Sequence, residues 1–122
     1  MKIVPQQRGF AKITAVLVAI AALSALHFGV AIGTHGLHLV HLIFAVLYLV
    51  PLIAAAVWFG ALGALVAATV TSSIYYVHIR YSWANQPMEN ADQYAHIAVY
   101  WVVAAVTGIP SSVFREKELA PG

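Results

Sequence analysis

The sequence contains no cysteine. That removes disulfides, iron–sulfur clusters and thiolate zinc sites, while leaving the redox compartment unspecified. Charge is nearly as scarce: charged residues make up 8% of the 122, against 62% hydrophobic residues. No soluble domain of this length covers its surface with so little charge. The net charge of +2 is too small and too divided along the chain to suggest nucleic acid. No P-loop, nucleophile elbow or other enzyme motif occurs, and the length leaves no room for a separate nucleotide-binding or catalytic module. The expectation is an integral membrane protein that is not itself an enzyme, whose first partner is the lipid bilayer.

What is present is apolar and segmented. Four runs stand out, at about 11–32, 37–59, 61–79 and 94–113, each close to the ~20 residues that cross a hydrocarbon core. Inside lipid the backbone must satisfy its own hydrogen bonds, so each run is expected to be a helix. Gly33-Thr34-His35-Gly36 breaks the first pair and Trp58-Phe59-Gly60-Ala61-Leu62-Gly63 turns the second into the third. The predicted fold is all-α, a membrane-embedded four-helix bundle over residues 11–113, flanked by short segments at 1–10 and 114–122. Pro51 is expected to kink the second helix, and Arg80 to Gln93 to form the one long polar loop, a lid outside the membrane. A basic segment precedes the first run, but that run exceeds the roughly 7 to 15 residues of a signal-peptide core, so it is expected to be retained.

Orientation follows from the loops. Lys2, Arg8 and Lys12 precede the first run, and Arg115 and Lys117 follow the fourth. Only Arg80, with Glu89 and Asp92, belongs to the opposite side. The positive-inside rule therefore makes both termini cytoplasmic. Trp58 and Phe59 at the inner boundary, and Tyr81, Trp83 and Tyr94 at the outer one, suit an aromatic belt.

All six histidines then fall on the outer side. Imidazole ligates metals and haem and hydrogen-bonds quinones, and a purely structural bilayer helix has little use for it. Three chemistries fit. Bis-histidine ligation of haem b needs matched depth on facing helices, which His27 with His41, or His78 with His96, supplies. A zinc or copper ion would draw on His35, His38 and His41, spaced i, i+3, i+6, with His78 in reach. A quinone head group would suit Ser73, Tyr76 and Arg80 beside His78. The plain alternative is that interfacial histidines cap helix ends or reach towards the headgroups, a use that fits His27 and His41 least because they lie deepest. Tyr75, Tyr76, Tyr94, Tyr100 and Trp101 either pack over a bound ring or anchor at the interface. Gly29 to Gly33 forms a GxxxG, and Gly60, Gly63, Ala64, Ala67, Ala68 and Thr71 allow close helix approach, first of all within the chain.

The run Tyr48-Leu49-Val50-Pro51, continuing to Trp58-Phe59-Gly60-Ala61-Leu62-Gly63-Ala64-Leu65-Val66-Ala67-Ala68 and then Tyr75-Tyr76-Val77-His78, resembles the multi-helix membrane input region of bacterial sensor histidine kinases. Gln93-Tyr94, Val106-Thr107-Gly108 and Arg115-Glu116-Lys117-Glu118 are similar to the last span and exit of those domains. The resemblance implies a bacterial inner-membrane, multi-pass fold and a ligand-sensing ancestry. It implies no kinase activity, because no phosphoacceptor or ATP-binding segment accompanies it here. Two functional expectations follow. One is an accessory subunit of a respiratory or redox complex, with histidines that hold haem, metal or quinone and with Arg115 and Lys117 meeting a partner. The other is a sensory module that passes a helix shift to a separate partner through that same exit. A purely structural subunit is the third.

Overall fold

The computed structural model describes residues 5–29, 35–82 and 87–120, and all of its regular structure is helical. The helices are α1 (Pro5–Gly29), α2 (His35–Leu47), α3 (Leu49–Ser82) and α4 (Pro87–Leu119). Three apolar stretches are long enough to cross a membrane: Gln7–Gly29, Leu39–Tyr81 and Ala91–Leu119. The middle one has 43 residues, about twice what a bilayer needs.

Two local features shape that middle stretch. Tyr48 alone separates α2 from α3, and the helical bonds Tyr48 N–H to Phe44 O and Leu52 N–H to Tyr48 O carry the chain across it at 3.2 and 3.4 Å. Pro51 has no N–H to offer the carbonyl of Leu47, which accounts for α2 ending at that residue. The second feature is Gly60, with φ 71° and ψ −152° inside α3. This backbone region is open essentially to glycine alone. The chain folds back there, as His41 and His78 demonstrate. They are 37 residues apart in sequence, about 55 Å along an unbroken helix, yet their ring nitrogens approach to 3.3 Å.

α4 then keys into the folded α3. A Cβ on Gly108 would stand 2.6 Å from the Cβ of Ala64 and 3.2 Å from the Cα of Ala61, so only glycine permits this approach. Ser112 Oγ accepts the Ala61 N–H at 2.7 Å, just beyond the Gly60 turn. Arg115 donates to the carbonyls of Val57 and Trp58 at 2.9 and 2.6 Å, satisfying acceptors that the turn leaves without helical partners. α1 lies along the first half of the folded stretch: Lys12 sits 5.6 Å over the Trp58 ring, and Tyr48 donates to Ser24 Oγ at 2.9 Å.

The core is inverted relative to a soluble protein. Most buried hydrophobic positions are small or aromatic, including Ala55, Ala56, Ala64, Ala67, Ala68, Tyr48, Tyr75 and Tyr100, with Leu52 and Ile79 among the few large aliphatic ones, while Phe10, Leu62, Val106 and Phe114 are among the most exposed side chains. Lipid is as apolar as leucine, so large aliphatic residues gain little by turning inward and small ones gain close packing.

The helices run longer than the expected spans, and the expected loop needs correcting. α1 begins by Pro5 and α4 continues to Leu119, so helix extends well past 11 and 113. The expected polar lid is mostly helix as well: Arg80 lies in α3, and α4 already starts at Pro87. Proline suits a first helical position, because its missing N–H would have no intrahelical partner there.

Candidate metal centre

Each of the three segments that supply the cluster carries its histidine on a stripe of inward-facing residues. On α1, Ile20, Ser24 and His27 follow one another at i, i+4 and i+7, and Ser24 returns its hydroxyl to Ile20 O at 2.7 Å. On the next segment His41, Ala45 and Tyr48 repeat that spacing, and on the folded-back part of α3 so do Thr71, Tyr75 and His78. Ser24 is partly buried, Ile20 has 3% exposure and all the others have 0 or 1%.

The three histidines converge. One ring nitrogen from each of His27, His41 and His78 lies within 4.8 Å of the other two. His78 Nε2 stands 3.3 Å from His41 Nδ1, close to the edge of about 3.3 Å that a tetrahedron with ~2.05 Å metal–nitrogen bonds requires. His27 is the exceptional member. Both of its ring nitrogens are buried and have no hydrogen-bond partner among the described residues. A neutral imidazole carries one donor and one acceptor, and leaving such a group unsatisfied in a buried place costs about 1–3 kcal/mol. A metal ion would remove that cost at the acceptor nitrogen.

Aromatic rings enclose the triad. Phe44 stacks on His27 with centroids 5.6 Å apart, Phe28 meets His78 edge-on at 4.6 Å, and Tyr75 lies 5.4 Å from His27. The histidine rings themselves are 4.0 to 5.2 Å apart. Tyr75 is fixed from the other side, its hydroxyl donating to Oε1 of the fully buried Gln93 on α4. Tyr100, also on α4, donates to Ala45 O at 2.7 Å and meets Tyr75 edge-on at 5.7 Å. A layer of tyrosines thus underlies the layer of histidines.

Against known protein families, curated proteins and solved structures, the chain finds no match.

The residues singled out from sequence divide clearly. His27 and His41, paired there by depth, are together, and His78 joins them rather than His96. His96 is only half-buried, and its Nδ1 lies 2.7 Å from Asp92 O, one turn back on its own helix. His35 and His38, expected to share an ion with His41, have side chains outside the described residues. Ser73, Tyr76 and Arg80 are exposed: Ser73 donates to Thr69 O, and Tyr76 turns its ring towards Tyr94. They do not share the buried face of His78, because Tyr76 and Arg80, two residues from it, and Ser73, five residues from it, sit about 140–160° around the helix. Arg115 is engaged within the chain at the Gly60 turn, whereas Lys117 is exposed. Tyr48 and Gln93 were not anticipated as part of the site. Their signal was a seven-residue spacing, from His41 to Tyr48 and from Gln93 to Tyr100, which marks one helix face.

Proposed function

We propose that this chain is a small non-catalytic membrane subunit that crosses the bilayer four times, with both termini cytoplasmic, and holds one zinc or copper ion on His27, His41 and His78 near the outer leaflet. The observation that carries the proposal is His27, fully buried with neither ring nitrogen partnered among the described residues, in contact with two further buried imidazoles. Four crossings are supported by the 43-residue apolar stretch that turns at Gly60, since each half is close to one bilayer thickness. The cytoplasmic placement of the termini rests on Lys2, Arg8, Lys12, Arg115 and Lys117.

Imidazole nitrogen suits zinc and copper alike. The same geometry weighs against haem b, because a macrocycle needs a slot between its two axial imidazoles and these rings are in mutual contact. It weighs against a quinone at Ser73, Tyr76 and Arg80, which share no pocket with His78. Held inside a larger redox assembly, such an ion would serve as a structural or electron-transfer centre. Lys117, exposed at the cytoplasmic exit, is the residue best available for a partner.

The sensory alternative has one observation in its favour. α4 runs without a break from Gln93, beside the histidine cluster, to Arg115 at the opposite end.

The test is metal analysis of the purified full chain after exposure to Zn(II) or to Cu(I), together with a visible spectrum. One equivalent per chain and no Soret band are expected. A chain that takes up neither metal, or that purifies with a haem spectrum, contradicts the proposal.

A further inference from the structure

We propose that the ion is a latch that docks α1, so that metal occupancy sets the position of the first helix; this rests on the metal-site reading above. The helices are held with very unequal security. α3 and α4 are joined along their length by the Gly108 approach, the Ser112 and Arg115 hydrogen bonds and the Tyr75 to Gln93 contact. α1 has much less. Among the described residues its buried side chains are Val16, Ile20 and His27, and a hydrogen bond from Tyr48 to Ser24 ties it to the next segment. Beside it an apolar groove of about 290 Å³ separates Ile13 and Leu17 from Leu62, Val66 and Val70. α1 therefore leans on the folded stretch along one line and stands off it along another.

His27 makes this docking conditional. His41 and His78 already meet each other when α1 is set aside. Docking α1 without an ion buries both nitrogens of His27 with no partner among the described residues. Docking it with an ion gives His27 a bond shared with two other segments. The docked state thus binds metal with three imidazoles and the released state with two at most, which is the difference in affinity that a population shift requires. Lys12, over Trp58 at the opposite end of α1, would be withdrawn when α1 lifts, carrying the change across the molecule.

The absence of cysteine makes the test clean. The full chain carrying Leu17→Cys and Val66→Cys, two exposed positions facing each other across the groove, is spin-labelled and reconstituted in phosphatidylcholine nanodiscs. Dipolar broadening is measured after chelator treatment, then with one equivalent of Zn(II), and in a parallel sample with Cu(I). Broadening that grows with metal, falls again with chelator, and stays at the metal-free level in His27→Ala is expected. A control pair, Leu65→Cys with Ile109→Cys between α3 and α4, should not respond. Should the metal bind one per chain while the Leu17–Val66 broadening stays constant, the latch is overturned and the site stands. If neither metal binds, both are overturned. The chelator comparison on the chain with its histidines intact decides the matter even where His27→Ala fails to fold.

Discussion

The two ends of the molecule solve the same problem with different chemistry. At the Gly60 end, helices meet through Gly108, Ala61 and Ala64, with Ser112 and Arg115 satisfying backbone groups that the turn exposes. At the histidine end, the space between helices is filled by imidazoles, tyrosines and Gln93. Small residues are sufficient for packing in lipid, where dispersion and close backbone approach do the joining. Polar side chains there are costly unless each is partnered. The Gly60 end pairs the backbone groups that its turn exposes, whereas at the histidine end both ring nitrogens of His27 are buried with no hydrogen-bond partner among the described residues.

Substitutions that separate the two ends sharpen this contrast. The largest effect is expected from removing a ligand. His41→Ala or His78→Ala should weaken Zn(II) binding by more than about 100-fold, since even residues behind a metal's ligands commonly contribute 10- to 100-fold. Competition against a chelator of known affinity measures this, and a change of only a few-fold would remove that histidine from the site.

Next comes the opposite end. Gly60→Ala places a side chain in backbone geometry that disfavours it and against Ser112 Oγ, which should cost on the order of 1–3 kcal/mol in denaturant unfolding. Metal affinity of the folded fraction should stay unchanged, because the turn is far from the histidines. A parallel loss of affinity would show that the two ends are not separable.

A comparable effect is expected in the tyrosine layer, with a diagnostic rescue. Tyr75→Phe leaves Gln93 Oε1 buried without its donor and should destabilise the fold by about 1–3 kcal/mol. Adding Gln93→Leu should recover much of that loss, since replacing both partners of a buried bond is far milder than replacing one. Additive losses would mean that the bond is not what these residues contribute.

The smallest effect is expected at Ser73, Tyr76 and Arg80. Alanine at each should leave metal binding within experimental scatter, because all three are exposed on α3. A clear loss at any of them would mean that the site extends to that face.

Much of the helical architecture was legible because lipid simplifies the code. Long apolar runs mark helices, and the turn at Gly60 is announced by glycine spacing. The polar stretch before Gln93 was misleading for the converse reason: composition suggests a loop, while the chain uses Pro87 to start a helix and sends Gln93 inward to Tyr75. For the site, depth along the helices was enough to pair His27 with His41. Depth could not decide between His78 and His96, since both lie near the same level. Rotation decides it: His78 shares a stripe with Thr71 and Tyr75, whereas His96 lies four residues before Tyr100 and three after Gln93 yet turns its ring back to Asp92 O. A side chain's choice of its own backbone over the interior is not written in spacing.

The most direct test of the central claim is X-ray absorption at the zinc edge on the metal-loaded full chain. At least three nitrogen scatterers at about 2.0 Å, with the outer-shell pattern of imidazole, are expected, falling by one in His27→Ala. A spectrum dominated by oxygen scatterers, or one that His27→Ala leaves unchanged, would contradict a metal centre built on His27, His41 and His78.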